Sequence, residues 1–308
     1  MDQIMTTHTF PKPGQTVFSE SFHKAPGGKG ANQAVQMARL GANVTMVGKL
    51  GVDSNGDELY NACADAGVNM EKVIRDKTMP TGCASIIILE EYGTRQNRIF
   101  VCQGANMGLT ENDVAFLQDE IAQYDLVVLQ LEIPIEINML VADWAWKAGI
   151  PVMLNPAPGT SLPESLLEKV TFLAPNETET EILTGISIQT DAGVPDMDRI
   201  KSAADCLIAQ GIRNLIITLG SVGAVLFDEK SSLFAPSETT TVVDPTAAGD
   251  SFIGAFSVAW CKTNNVAEAL QYANQVAAIT VSRMGAIPSL PTEDEVDAHY
   301  RIVKEEKS

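Results

Sequence analysis

The chain has 308 residues, with 21 Lys and Arg against 39 Asp and Glu, giving a net charge of −18. That balance repels phosphate backbones and anionic membranes, and no Lys/Arg cluster stands out against it, so nucleic acid and membrane surfaces are excluded as expected partners. With 45% apolar residues, 23 Gly and 15 Pro, the composition is that of a folded, loop-punctuated chain of enzyme size, not a disordered one.

In chain order, residues 3–23 read as β-prone around Thr16-Val17-Phe18 and carry no helix. The run Gly27-Gly28-Lys29-Gly30-Ala31-Asn32 then opens a predicted helix over 31–40, followed by a strand over 43–47 and a helix over 58–66. A second β-prone stretch without a helix covers 81–103. Beyond it, predicted helices over 111–122, 135–147, 200–210, 251–261 and 266–282 are interleaved with strands over 126–131, 151–154, 171–174 and 214–219. These strands are rich in Val, Ile and Leu without polar alternation, as parallel strands covered on both faces are. The pattern predicts an α/β fold with a mostly parallel sheet, and the two insertions predict a small separate β-sheet, a lid beside a site.

No apolar run approaches the ~18 residues of a spanning helix, and Met1-Asp2-Gln3-Ile4 lacks the features of a signal peptide, so a cytoplasmic location is expected. Cys63, Cys83, Cys102, Cys206 and Cys261 are odd in number and include no Cys-x-x-Cys pair, which reads as free thiols. Three histidines, His8, His23 and His299, are too few for a His-based metal site or hydrolase triad.

Ligands of open α/β sheets bind beyond the carboxyl ends of the strands, and here those ends carry Glu132, Asn155, Asn176 and Gly220 in succession. The sharpest motif is Asp244-Pro245-Thr246-Ala247-Ala248-Gly249-Asp250, which runs straight into an apolar helix. Small residues before a helix let backbone N–H groups approach an anion, and the helix dipole adds partial positive charge. Asp250 by itself reads equally as a cap or as a base. Beside Ala247-Ala248-Gly249 it makes the pair that phosphoryl transfer to a hydroxyl needs, a proton acceptor next to donors for the migrating charge. The Gly28-Lys29 run is neither a Walker A loop nor a dinucleotide fingerprint, since Gly30 stands where the Ser/Thr belongs and no strand precedes it. Asn176 and Glu179, three apart at a helix start, read alone as an N-cap with a reciprocal Glu, or as ligands of a hydrated Mg²⁺. The run from Thr218 through Gly220 and Ser221 to Gly223 is a strand exit, or a hairpin turn into 224–227.

The combination resembles the ribokinase branch of the phosphofructokinase-B (pfkB) family of carbohydrate kinases, through the signatures at 27–32 and 244–250 and the order of elements over almost the whole chain. The resemblance implies a ribokinase-like three-layer α/β/α core over 24–80 and 104–308, holding the ATP and catalytic sites. A β-sheet lid over 1–23 and 81–103 would pair two subunits as a homodimer. Asp250 would then be the base that deprotonates the sugar hydroxyl, and Ala247, Ala248 and Gly249 the anion hole. Asp2, Gly28, Lys29, Asn32 and Glu132 would contact the sugar, together with Asp250. Asn176, Thr218, Gly220, Ser221, Gly223, Gly249 and Asn274 would bind ATP, with Glu179 acting on Mg²⁺ through water. Asp244, Thr246, Thr280, Arg283, Gly285 and Ser289 would form a K⁺ loop. The family begins with a buried strand ending in Asn-x-Asp, of which this chain holds only Asp2, so the first core strand is expected to be missing. The implied reaction is ATP-dependent phosphorylation of a pentose, D-ribose to D-ribose 5-phosphate. Deoxyribose, another sugar or a nucleoside is the alternative acceptor, and a catalytically impaired sugar-binding protein the alternative class.

Overall fold

The computed structural model of the chain describes residues 1–91, 94–189 and 194–306. Its first elements are β1 (Asp2–Thr7), β2 (Ser21–Ala25), α1 (Lys29–Arg39), β3 (Gly48–Gly51), α2 (Ser54–Asp65), β4 (Val73–Asp76), β5 (Cys83–Glu91) and β6 (Thr94–Cys102). There follow α3 (Glu111–Val114), α4 (Leu117–Glu120), β7 (Val127–Leu129), α5 (Ile135–Ala148), β8 (Val152–Leu154), α6 (Glu164–Leu167), β9 (Phe172–Leu173), α7 (Glu177–Thr184) and α8 (Met197–Ala209). The last are β10 (Asn214–Thr218), β11 (Gly223–Asp228), β12 (Ser232–Pro236), α9 (Ala248–Thr263), α10 (Val266–Val281) and α11 (Glu293–Glu306).

The central sheet has the order β12-β11-β10-β9-β8-β7, parallel from β10 to β7 and closed at one edge by the antiparallel hairpins of β10, β11 and β12. Successive strand residues face opposite sides, and this sheet buries both. Val152, Leu154, Leu173, Leu215 and Ile217 pack with α5 and α8 in one apolar cluster. Met153, Phe172 and Ile216 pack with α9 and α10 in a second, where Phe172 meets the Phe256 ring edge-on at 5.2 Å. The result is three layers, helix on sheet on helix. A third cluster joins α1, α2 and Met1 beside a separate parallel pair, β3 and β4.

The two insertions make one four-stranded sheet of order β2-β1-β5-β6, apart from residues 92 and 93, which lie outside the described residues. Within it Thr16-Val17-Phe18 is loop, with Phe18 94% exposed, and the strands are the segments on either side. Pro11 and Pro13 in that connection have no N–H to give a ladder, whereas β1 and β2 pair fully from Asp2↔Ala25 to Thr6↔Ser21. Strand β2 thus extends to Ala25, two residues past residue 23.

Two core elements also differ from expectation. The strand expected over 43–47 is displaced to β3, because Gly48 to Gly51 finds β4 as a partner, while Thr45 makes only an isolated bridge to Asn69. The single helix expected over 111–122 is broken into α3 and α4. Gln118 and Asp119 donate to the carbonyls three residues back, Ala115 and Phe116, tightening the turn there, and Lys72 stacks over the Phe116 ring at 3.9 Å.

Candidate active site

Helix α9 starts from a loop in which Ala247 adopts left-handed backbone, φ 61°, a conformation that costs an L-residue roughly 1–2 kcal/mol. The loop is held by Ala248 N–H donating to Pro245 O (3.2 Å) and Ser251 N–H to Ala247 O (2.8 Å). Ala248 therefore spends its amide on the turn. The amides of Gly249 and Asp250 lie in the first helical turn, where no intrahelical acceptor exists, and make no backbone hydrogen bond among the described residues. They are the N–H groups left for an anion.

Asp250 is 8% exposed and both its oxygens accept hydrogen bonds, Oδ2 from Asn32 Nδ2 (2.8 Å) and Oδ1 from Gln33 Nε2 (3.0 Å). Burial pushes its pKa up, against the opposing pull of Lys29 and of these two donors. Gln33 is fully buried and its amide has one fixed direction. Gln130 Nε2 donates to Gln33 Oε1 (2.6 Å), so the Gln33 nitrogen must face Asp250 and Asn155 Oδ1 (3.2 Å). Asn155 is oriented in turn by donating to Ala174 O (3.0 Å). The carboxylate is therefore aimed by a directed chain of amides from α1, β8 and the end of β7.

On the other side of α1, Lys29 N–H donates to Glu132 Oε2 (3.0 Å). The Asp2 carboxylate lies against Gly27, so a Cβ there would push that carboxylate aside. Burial raises the pKa of Glu132, and likewise of Asp2, with Asp250 adding to both. Asn32 Oδ1 is buried without a hydrogen-bond partner, an acceptor that a ligand hydroxyl would satisfy.

A cavity of about 170 Å³ brings Lys29, Asn176, Glu179, Thr218, Ala247, Ala248, Gly249 and Asp250 together, with Asn155. Asn176 and Glu179 form the full capping box of α7, Asn176 Oδ1 accepting from Glu179 N–H (2.8 Å) and Glu179 Oε2 from Asn176 N–H (2.9 Å). They nonetheless face this cavity, so the cap and the site coincide. Burial raises the Glu179 pKa.

The remaining expected nucleotide residues lie apart from that cavity. Gly220 and Ser221 form the turn between β10 and β11, so the strand exit is also the hairpin. Gly223 is fixed by packing, since a Cβ there would strike the backbone of Ala235 and Ser237. Asn274 gives both its N–H bonds to Ala235 O (3.0 Å) and Pro236 O (3.1 Å), pinning β12 to α10. In the loop before α9, Asp244 accepts from Thr246 Oγ1 (2.6 Å) and Gly285 N–H (2.9 Å), and its own amide donates to Val281 O (3.1 Å). The segments around 244–246 and 281–285 are thereby held side by side. The hydroxyls of Thr280 and Ser289 donate to Val276 O and Ala286 O, and Arg283 pairs with Glu295 (3.2 Å).

Sequence reasoning missed Gln33 and Gln130 and gave Asn155 no role. The available signal is a polar side chain inside the apolar stripe of α1, and only the fold tells it from a surface residue.

Residues 1–293 match the family described as pfkB family carbohydrate kinase. The chain is 36% identical to a ribokinase of Staphylococcus aureus (strain COL) over 299 residues, covering 96% of this chain and 95% of that one. It is 33% identical to a deoxyribokinase of Salmonella typhimurium over 303 residues, 98% of this chain and 96% of the relative. Among solved structures, a ribokinase of Arabidopsis thaliana complexed with ribose and ATP superposes with a TM-score of 0.87 at 33% identity, over 96% of this chain and 94% of that one. With a ribokinase-like fold, a carboxylate aimed beside free helix amides, and matches of this length, the chain belongs to the pfkB family of carbohydrate kinases.

Proposed function

We propose that the protein transfers the γ-phosphoryl group of ATP to the primary hydroxyl of D-ribose, giving D-ribose 5-phosphate and ADP. The observation that carries this is Asp250, a buried carboxylate gripped by Asn32 and Gln33 and set at the N-terminus of α9 beside unpaired amides. The sugar lies between α1 and Glu132, donating hydroxyls to Asp2, Glu132 and the unpartnered Asn32 Oδ1, and accepting from Lys29 and the amide of Gly28. Its reacting hydroxyl gives its proton to Asp250 as its oxygen attacks the γ-phosphorus. The bond from that phosphorus to the β,γ-bridging oxygen breaks, and ADP leaves with the electron pair. The amides of Gly249 and Asp250, with the dipole of α9, take the charge on the transferring group.

ATP lies along the β10 to β11 turn and α10, with Asn176, Thr218, Gly220, Ser221, Gly223 and Asn274 beside it. Among the described residues no cluster of three or more His, Cys, Asp or Glu side chains could hold a metal ion. A hydrated Mg²⁺ carried by the phosphates fits that donor set, with Glu179 reached through water. Mg²⁺ would neutralise phosphate charge. The segments joined by Asp244 offer carboxylate, hydroxyl and carbonyl oxygens from Asp244, Thr246, Thr280, Arg283, Gly285 and Ser289, a donor set that fits K⁺.

The lid strands, with the connection over 8–20, cover the sugar side, and the remaining chain is the core that binds ATP. Phe22 and Phe100 are exposed on one face of the small sheet and Ile99 and Val101 on the other, apolar side chains that support a homodimer formed through the lid. Five unlinked cysteines and ATP as substrate support a cytoplasmic enzyme; among the described residues no helix is long and apolar enough to cross a membrane.

The 33% identity to a deoxyribokinase favours 2-deoxyribose as the second reading. An ADP-coupled assay across ribose, deoxyribose, other pentoses and nucleosides decides between acceptors. Ribose is expected to give the highest kcat/KM. Turnover of nucleosides with none of free sugars would overturn the assignment.

A further inference from the structure

Strands β5 and β6 pair antiparallel with Cys83 directly opposite Cys102. Opposed residues of a sheet project from the same face, so the two thiols stand side by side. Ala84 N–H donates to Met1 O, on the β1 side (2.9 Å), which turns the backbone groups of Cys83 toward β6. The pair is therefore of the hydrogen-bonded kind, with Cα atoms about 5.5 Å apart, inside the range of about 4.4–6.8 Å that a disulfide spans. The Cβ atoms of such a pair are about 5–5.5 Å apart, wider than the ~3.8 Å of a relaxed disulfide. Strand β6 is an edge of its sheet and is free to yield by that amount. A bridge here forms under tension, and a strained bridge is readily reduced again.

The position gives such a bridge leverage. A Cβ on Gly104, φ 53°, would collide with Pro80 O and Gly82 N, and Ala105 N–H donates to Pro80 O (2.8 Å). The chain thus enters β5 and leaves β6 at one point, and the cysteine pair sits directly on it. Ala84, next to Cys83, is the register partner of Asp2. Cys102 is exposed and Cys83 half-buried, so Cys102 is the first to meet a reagent. Burial pushes the thiols of Cys63 and Cys261 up to about 11, with Asp125 adding at Cys261, and Cys206 Sγ accepts from Gln210 Nε2 (3.5 Å).

We infer that Cys83 and Cys102 form a reversible thiol–disulfide site, oxidised by low-molecular-weight disulfides of the glutathione class, whose bridge ties the two chain passages at the root of the small sheet and slows turnover. The Cys102 thiolate attacks one sulfur of the small disulfide, whose S–S bond breaks as one thiolate leaves. The Cys83 thiolate then attacks Cys102 Sγ, and the mixed disulfide breaks as the second thiolate leaves. The two cysteines lose two electrons and two protons, and the small disulfide takes them up as two thiols. A dithiol reverses the sequence. Motion of a covering segment gates substrate entry and product release in many enzymes, and the bridge restrains the small sheet one residue from the partner of Asp2. The effect on turnover rests on the proposed sugar kinase activity, whereas the bridge rests on the register alone.

The test equilibrates the reduced protein against oxidised glutathione, blocks residual thiols by alkylation, and reads intact mass, peptide linkage, amide exchange and sugar turnover. A Cys83 to Cys102 linkage within one chain is expected, with slower exchange over 80–84 and 102–106. The kcat/KM for the sugar is expected to fall by about 10-fold and to recover with dithiothreitol. Cys102→Ser should abolish all of these changes and Cys206→Ser none. Linkage is read by mass, so it decides the site whether or not the reduced protein phosphorylates ribose. Glutathione adducts without the linkage, a Cys102 linkage between two copies, or a bridged chain as active as the reduced one overturns the inference.

Discussion

Asp250 concentrates two opposing demands in one side chain. Its pKa is raised by burial, so the folded state holds the proton more tightly than the unfolded chain does. The sign follows: this group favours folding below the ordinary carboxylate pKa of ~4, and that contribution is lost as pH rises through the raised folded value. In the proposed mechanism activity runs the other way, because only the ionised form would accept the proton. Asp250→Asn keeps the shape and removes the charge, and Asn32 can turn its unpartnered Oδ1 toward the new Nδ2. We expect kcat to fall by about 10²- to 10⁴-fold, with ATP binding near normal and Tm raised by about 2–4 °C. Wild-type turnover would reduce Asp250 to a helix cap. Gln33→Met tests the amide chain. Losing one N–H to a buried carboxylate is worth about 1.5–3 kcal/mol, so kcat at neutral pH should drop about 10- to 100-fold and the acidic limb of the pH profile should move to higher pH. A drop in kcat with an unmoved limb would show that Gln33 only packs.

Among elements, the connection between the 244–246 loop and the segment after α10 stands out, because one carboxylate, Asp244, ties both together immediately before the proposed anion hole. An ion held by those oxygens would fix the amides of Gly249 and Asp250 in place without touching substrate. K⁺ is therefore expected to raise kcat, with Na⁺ less effective, in assays at constant Mg²⁺ and ATP where a bulky organic cation replaces K⁺. Mg²⁺ cannot substitute, since it demands short octahedral distances. Identical rates in the K⁺ and organic-cation buffers would leave Asp244 as scaffolding alone. The capping box of α7 both caps its helix and lines the 170 Å³ cavity. Asn176→Ala removes a cap worth about 1 kcal/mol and one wall of the 170 Å³ cavity. Tm should fall by a few degrees and the KM for ATP should rise; a lower Tm with unchanged KM would confine Asn176 to the cap.

For the whole molecule, one face of the small sheet carries Phe22 at 55% and Phe100 at 64% exposure, while the core buries its aromatic pair Phe172 and Phe256 almost completely. Apolar surface of that kind is what the proposed homodimer would cover. Phe100→Glu is expected to convert a dimer into a monomer in light scattering after size-exclusion chromatography and to raise the KM for the sugar, with Tm of the core little changed. A monomeric wild-type chain at micromolar concentration would remove the lid from the assembly.

The sequence by itself determined the layers and the motifs. Non-alternating Val, Ile and Leu runs such as 214–219 read as strands covered on both sides, and small residues leading into an apolar helix read as a start where backbone amides come close to a ligand. It did not determine roles that depend on distant partners. Gln33 reads as one more polar residue in α1 until Gln130 and Asn155, 97 and 122 positions away, fix which way its amide points. Likewise nothing near Asn274 in sequence shows that its side chain gives both its donors to the backbone of β12, and 43–47 looks like a strand until β4 offers its edge to Gly48–Gly51 instead. Local pattern is set by period and propensity, which neighbours in sequence share. Hydrogen-bond direction and strand pairing are set by groups that folding alone brings within 3 Å, and the tertiary structure decided those.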